Sequence, residues 1–212
     1  ATLADKQAGI YLPRLTVYQR FEDYRIIYDL HIEFSVPKLL NGNSVQEYDD
    51  TDFDQVISIL KERLTRMEIR IFEALLRKAI VVKAHFGKNI VLPTPLTVQD
   101  AISTLYKADV GRAKDVNIRH FANNGQALYF YSSSVNIIFY DKLRVIATPK
   151  AKAVDKDKPK QERLFVDALS REQKPEILRF EIRLAKQQSL IAFLSRIKGE
   201  KIKHVTFEDL FK

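Results

Sequence analysis

VNIIFY at residues 135–140 and LRFEIRL at residues 178–184 are the two stretches that decide the fold. Both are rich in β-branched and aromatic residues, which favour β-strands. In the second stretch Arg179, Glu181 and Arg183 alternate with apolar residues. Because successive side chains of a strand point to opposite faces, this spacing predicts one charged face and one apolar face.

The first stretch ends at Tyr140, and Asp141 and Lys142 follow it directly. This spacing predicts that the Tyr140 hydroxyl and the Lys142 ammonium lie at one strand end, two residues apart and so on the same face. If the two strands are close, a tyrosine, a lysine, a carboxylate and two arginines converge. Such a set suits phosphodiester chemistry, which needs an oxygen nucleophile, a carboxylate for a metal and cations for the phosphate. The alternative is an edge hairpin with a solvated charged face.

Five residues are candidates for catalysis or metal binding. Tyr140 is the candidate nucleophile, and Lys142 could stabilise its phenolate, because a free phenol has a pKa of about 10. Glu181 is the candidate ligand for Mg²⁺ or Mn²⁺, with a cross-strand ion pair as the alternative. Glu33, within LHIEF, could be a second carboxylate. His85, within AHFGKN, could be a metal ligand, a proton shuttle or a hydrogen-bonded structural histidine.

Positive charge is concentrated near the end of the chain. Residues 141–212 hold 18 Lys and Arg against 11 Asp and Glu, a net +7, whereas the first 140 hold 17 against 16, a net +1. A basic third beside a candidate phosphodiester site predicts a track for a polyanion such as a nucleic acid, although basic surfaces can also serve only solubility. The candidate DNA-binding residues are Lys88, Asn89, Arg179, Arg183 and Lys186.

The remaining pattern predicts an α+β fold, with a mainly antiparallel sheet and helices on one face. Strands are predicted at 24–34, 79–86, 116–121 and 127–131, with the last of these forming a hairpin with 135–140. Gly87-Lys88-Asn89 is predicted to be a turn. Helices are predicted at 52–67, 97–107 with Thr97 and Asp100 as a capping box, and 186–197 with Gly199 as C-cap. The 212 residues are expected to form a single domain, with a mobile charged loop at about 148–160.

Composition excludes several function classes. The chain has no cysteine, which removes disulfides, thiolate zinc sites and cysteine nucleophiles. No stretch approaches 18 apolar residues and the first residues lack a signal-peptide pattern, so we expect a cytoplasmic protein without a membrane partner. Gly-rich phosphate loops, Gly-x-Ser-x-Gly and His-Glu-x-x-His are absent, so nucleotide-hydrolysing motors, serine hydrolases and zinc proteases are unsupported.

The run LYFYSSSVNIIFYDK followed by LRFEIRL resembles the core of rolling-circle replication initiators of the plasmid and filamentous-phage Rep/relaxase type. There an aromatic strand leads to a Tyr-x-Lys strand, and an Arg-x-Glu-hydrophobic strand follows. Similar blocks occur at 30–43 and 82–90, so the resemblance touches about half of the chain. Two features depart from it. Leu143-Arg144-Val145 stands where an acidic residue often follows Tyr-x-Lys, and Tyr129-Phe130-Tyr131 stands where the wider class often carries a His-hydrophobic-His metal pair.

The resemblance implies a replication initiator that binds a DNA origin hairpin or single strand and nicks one strand. By that resemblance, Tyr140 would attack the phosphorus and stay linked to the 5′ phosphate, with a divalent cation, Mg²⁺ or Mn²⁺, held by Glu181. A second copy of the chain, in a homodimer, is a further expected partner. Two alternatives stay open: a non-catalytic DNA-binding protein on the same scaffold, and a basic interaction domain that binds no nucleic acid.

Overall fold

A computed structural model describes residues 8, 10–107, 118–122 (backbone only), 125–132, 135–147 and 175–212. These residues fall into two compact units. The first contains the described residues up to Arg77 together with Phe211, and the second contains those from Lys78 to Leu210 together with Lys212. The single domain stays a prediction. None of the helices in these ranges is both long enough and apolar enough to cross a bilayer.

The first unit begins with a two-stranded antiparallel ribbon, β1 (Arg14–Glu22) and β2 (Arg25–Glu33). Asp23 and Tyr24 at its tip have φ values of 47° and 59°, as a tight hairpin turn requires. Directly paired residues share a face. One face is polar, and there Arg20 donates to Asp29 and to Glu22. The opposite face, here called the apolar ribbon face, comprises Leu15, Val17, Gln19, Phe21, Ile26, Tyr28, Leu30 and Ile32.

The described residues of the first unit also form three helices: α1 (Val36–Asn41), α2 (Phe53–Arg66) and α3 (Glu73–Arg77). A 3-10 turn, Asp50–Asp52, leads into α2 and is capped by Asp49, whose carboxylate accepts from the Thr51 amide. The helix therefore begins after Asp52, as predicted. Its apolar stripe is buried, and the buried residues are Phe53, Val56, Ile57, Leu60 and Leu64.

The second unit is built on a five-stranded antiparallel sheet with the order β3-β7-β6-β5-β4. The strands are β3 (Ala84–Val91), β4 (Ile118–Ala122), β5 (Ala127–Tyr131), β6 (Asn136–Asp141) and β7 (Ile177–Leu184). Its helices are α4 (Val98–Lys107), α5 (Lys142–Ala147) and α6 (Gln187–Lys198), and a 3-10 turn, Glu208–Phe211, lies near the chain end. β6 pairs with β7 and with β5, so the two strands of the predicted site are neighbours.

Two helices pack on one face of this sheet. Leu178 of β7 belongs to one buried cluster with Val98 and Ile102 of α4. Leu184, at the other end of β7, belongs to a second cluster with Leu190 and Leu194 of α6. Fully burying one such side chain stabilises a fold by about 1.5–3 kcal/mol. An α+β fold with an antiparallel sheet is therefore confirmed.

The predicted helix signals are also confirmed. Thr97 and Asp100 form the capping box of α4, in which the Asp100 amide donates to Thr97 Oγ1 at 3.1 Å and the Thr97 amide donates to Asp100 Oδ2 at 3.1 Å. Gly199 follows α6 with a φ of 69°, a left-handed conformation that glycine adopts without strain.

Two local predictions were wrong, and one strand was missed. Gly87-Lys88-Asn89 is not a turn but the middle of β3, where all three residues pair with β7. The strand predicted at 24–34 is confirmed as β2, whereas its partner β1 was not predicted. Lys142 does not continue β6, since the Asp141 carboxylate accepts from the Arg144 amide at 2.9 Å and a helix begins at Lys142. The predicted loop at 148–160 lies outside the described residues.

Candidate functional site

On the face of the sheet opposite α4 and α6, the side chains of β3 and β7 are mostly polar. Because paired residues share a face, the register assembles a single surface, here called the polar sheet face. It contains His85, Gly87 and Asn89 from β3; Arg179, Glu181 and Arg183 from β7; Asn136, Ile138 and Tyr140 from β6; and Tyr129 and Tyr131 from β5. The alternation predicted for β7 is thereby confirmed.

Glu181 lies at the centre of this face and is only 7% exposed. Its Oε1 accepts from Arg183 Nε at 2.7 Å and lies 3.6 Å from His85 Nδ1. Its Oε2 accepts from the Tyr140 hydroxyl at 3.0 Å. Burial by itself would raise the pKa of Glu181. The hydrogen bond and charge of Arg183, the hydrogen bond from Tyr140 and the proximity of His85 outweigh burial and lower this pKa, so the carboxylate is ionised at neutral pH.

The Tyr140 phenol is held in its neutral form. Burial, then the negative charge of Glu181, raises the pKa of Tyr140 well above its ordinary value, against the opposing charges of Arg179 and Arg183. The predicted phenolate is therefore not the resting form of this side chain. The protonated hydroxyl instead donates to the Glu181 carboxylate, which is the arrangement of a hydroxyl nucleophile beside a proton acceptor.

Arg179 has a different environment from Arg183. Its Nη1 donates to Asn89 Oδ1 at 3.1 Å, and its Nε is buried without a hydrogen-bond partner. The guanidinium lies against Gly87, where an added Cβ would be 2.2 Å from Nη2 and 2.4 Å from Cζ. Within the part of the chain that the structure describes, Arg179 forms no ion pair, whereas Arg183 is paired with Glu181.

An aromatic pair lies on the same face. The rings of Tyr129 and Tyr131 are 5.7 Å apart between centroids and nearly parallel, at 5°. In the register, Tyr131 pairs with Asn136, and Asn136 pairs with Arg183. The surface thus combines stacked rings with guanidinium groups, which are the groups that bind bases and phosphates in single-stranded nucleic acids.

The structure brings together only some of the predicted site residues. Tyr140, Glu181, His85, Asn89, Arg179 and Arg183 share the polar sheet face. Lys142 is buried at the start of α5, so strand alternation does not bring it to Tyr140. Lys88 pairs with Phe180 and therefore lies on the opposite face. Lys186 is the residue before α6, and Glu33 ends β2 in the first unit.

The described residues around Glu181 do not suit a hard divalent cation as they are arranged. Arg183 and Tyr140 already occupy the two carboxylate oxygens. One carboxylate between two permanently charged guanidiniums leaves the cluster positive, which opposes a second cation. No group of three or more His, Asp or Glu residues lies together in the described ranges. Binding of Mg²⁺ or Mn²⁺ stays a prediction.

Sequence reasoning missed the role of Gly87, which it took for a turn residue. The signal that could have found it is the alternation of His85, Gly87 and Asn89 with Phe86 and Lys88, since a glycine inside a strand often marks the close approach of another group. The site therefore joins a tyrosine, a carboxylate, two arginines and an aromatic pair on one sheet face. Comparison of the chain with protein-family models, with curated proteins and with solved structures gave no match.

Proposed function

We propose that this protein is a cytoplasmic replication initiator of the Rep/relaxase type, which binds origin DNA and nicks one strand. The observation that carries the proposal is the Tyr140 hydroxyl donating at 3.0 Å to the buried Glu181 carboxylate on a face that also carries two arginines. A hydroxyl nucleophile, its proton acceptor and phosphate-binding cations are the parts that strand transfer requires. The net charge of +7 in residues 141–212 supports a polyanionic partner.

In the proposed reaction Tyr140 attacks the scissile phosphorus. The Oη–P bond forms, the phenol proton passes to Glu181, and the P–O3′ bond breaks. The DNA then stays attached through its 5′ phosphate, and the departing 3′ oxygen takes a proton from water. Because the raised pKa of Tyr140 keeps the phenol protonated, proton transfer must accompany attack. Arg179 holds the phosphate, and Arg183 keeps Glu181 ionised and in place.

The test is covalent capture of DNA. Protein is incubated with a random-sequence pool of single-stranded oligonucleotides in Mg²⁺, in Mn²⁺ and in EDTA, and adducts are resolved on a denaturing gel. Wild type should form an adduct, and Tyr140→Phe should form none while binding the pool equally well, because the ring is kept and only the hydroxyl is lost. Sequencing the captured DNA gives the preferred site. An adduct that persists in Tyr140→Phe would move the nucleophile elsewhere, with Tyr129 and Tyr131 as the next candidates.

The role of Glu181 is tested by Glu181→Gln in the same assay. As a proton acceptor, Glu181 is needed in every buffer, so the variant should lose adduct formation whether or not metal is added. Calorimetry with MnCl₂ tests whether Glu181 also binds a metal ion. A metal site at Glu181 predicts a binding heat that the variant loses. The oligomeric state, a homodimer in the proposal, is measured by light scattering.

A second candidate function is DNA binding without cleavage on the same scaffold. It is favoured by the burial of Tyr140 and by the commitment of its hydroxyl to Glu181, both of which oppose ionisation. Retained binding of the oligonucleotide pool without an adduct, in all three buffers and at elevated protein concentration, would establish this function in place of nicking.

A further inference from the structure

We infer that Arg179, and not Arg183, is the phosphate-binding arginine of the polar sheet face, and that Gly87 is the residue that positions it. The inference rests on the proposed function, because it assumes that a nucleic acid phosphate reaches this face. It separates two arginines that the sequence placed together on one strand.

The two arginines differ in their counter-charges. Arg183 Nε donates to Glu181 at 2.7 Å, so its charge is largely neutralised within the protein. Arg179 donates to an amide oxygen of Asn89, which carries no charge, and has no carboxylate partner among the described residues. A partly desolvated guanidinium without a counter-charge is unfavourable, and binding an anion relieves that cost. Arg179 is therefore the cation on this face that is suited to a phosphate.

The position of Arg179 depends on the missing side chain at Gly87. The guanidinium occupies the volume in which any Cβ at residue 87 would lie, with Nη2, Cζ and Nε at 2.2, 2.4 and 2.6 Å from that point. Asn89, which lies two residues further along the same face of β3, accepts a hydrogen bond from Nη1 of this guanidinium. Gly87 pairs with Glu181 in the register, and Arg179 pairs with Tyr140. The guanidinium is thus held beside the proposed nucleophile and its proton acceptor.

Gly87→Ala should displace Arg179 without unfolding the sheet. The atoms that an alanine Cβ would meet are the far end of a flexible side chain, which can rotate away. Alanine is also well tolerated in a strand whose φ is not in the left-handed region, and Gly87 is not among the glycines with positive φ. The expected defect is therefore in the binding of phosphate and not in folding, which circular dichroism and thermal unfolding check.

The experiment is a double-mutant cycle with Gly87→Ala, Arg179→Ala and both together. The affinity for a mixed-sequence single-stranded oligonucleotide is measured by fluorescence anisotropy at several salt concentrations. Loss of one phosphate contact should lower the slope of log K against log salt by about 1. Gly87→Ala and Arg179→Ala should each show that decrease. In the Arg179→Ala background, Gly87→Ala should change neither slope nor affinity, because no guanidinium remains to displace.

Two controls keep the result interpretable. Arg66→Ala, whose guanidinium is paired with Glu62 on α2 outside the polar sheet face, should leave the salt slope close to that of wild type. Arg183→Ala should lower the slope less than Arg179→Ala does, since the charge of Arg183 is already paired with Glu181. Ile90→Ala, on the opposite face of β3, controls for a general effect of altering this edge strand. Equal loss of affinity from Gly87→Ala in both backgrounds would overturn the inference, as would an unchanged slope in Gly87→Ala. If the wild type itself shows no salt-dependent binding, the proposed function fails first, and the two failures are thereby distinguished.

Discussion

Tyr140 and Glu181 share one hydrogen bond, yet their pKa values move in opposite directions. Burial and the neighbouring carboxylate raise the pKa of the phenol, whereas Arg183 and the phenol itself lower the pKa of the carboxylate in spite of its burial. The proton is therefore firmly on Tyr140 in the resting protein. Two ionisable groups whose pKa values are pushed apart in this way are a recognised sign of an acid–base pair.

Tyr140 should also control stability in alkali. Below pH of about 10 the phenol is protonated in both the folded and the unfolded chain, and its full contribution is present. As the pH rises further, the unfolded chain loses this proton first, because the folded pKa is raised, and stability falls. Urea unfolding between pH 9 and 11 should show a steeper loss in wild type than in Tyr140→Phe. Tyr24→Phe is the control, because Tyr24 is 95% exposed. Equal slopes of stability against pH for all three proteins would contradict the prediction.

At the scale of elements, local patterns predicted most of the second unit's scaffold. The alternation in β7, the β5–β6 hairpin and the capping residues of α4 and α6 are short-range signals, and they hold in the structure. What could not be predicted depends on contacts between distant segments. Gly87 is part of a strand because β3 pairs with β7, and local sequence favours a turn there. The hydrogen bond from Tyr140 to Glu181 depends on the pairing of β6 with β7. The 3.6 Å approach of His85 to Glu181 depends on the pairing of β3 with β7.

The end of β6 shows how a single side chain can override a strand pattern. Alternation alone extends the strand through Lys142, but Asp141 accepts a hydrogen bond from the Arg144 amide, as a helix-capping residue does. An aspartate directly after an apolar run is a sequence signal for this change from strand to helix. The prediction that Lys142 stabilises a Tyr140 phenolate relied on a strand that continues to Lys142, whereas β6 ends at Asp141.

The capping box of α4 should contribute measurably to the free energy of unfolding. Thr97→Ala removes the hydroxyl that accepts from the Asp100 amide at 3.1 Å, and it should destabilise the protein by about 1 kcal/mol. Thr104→Ala is a matched control on the same helix, because its hydroxyl donates to the Asp100 carbonyl within the helix and alanine is the better helix former. Chemical denaturation measures both. If Thr97→Ala is no more destabilising than Thr104→Ala, the capping box contributes little to the stability of the protein.

At the scale of the whole molecule, the net charge of +8 is distributed unevenly, with +7 in residues 141–212. Contacts between Lys or Arg and phosphate release counterions, so we expect affinity for DNA to fall steeply as salt is raised. Anisotropy titrations from about 50 to 200 mM salt should show a loss of at least about tenfold, which corresponds to two or more phosphate contacts. Affinity that stays constant over this range would argue for an interaction domain that binds no nucleic acid.

The ribbon of β1 and β2 has a consequence for how the purified protein behaves at high concentration. Val17, Phe21, Ile26 and Tyr28 are 62, 73, 55 and 64% exposed on its apolar face, and the described structure pairs neither strand with a further strand. Contiguous apolar surface and open strand edges favour colloidal attraction between molecules, which excluded salts such as ammonium sulfate strengthen. Phe21→Lys should therefore raise the ammonium sulfate concentration needed for precipitation, whereas Gln19→Lys, on the same face but replacing a polar side chain, should raise it less. A turbidity titration of the three proteins measures the difference, and identical precipitation curves would mean that the ribbon does not govern solubility.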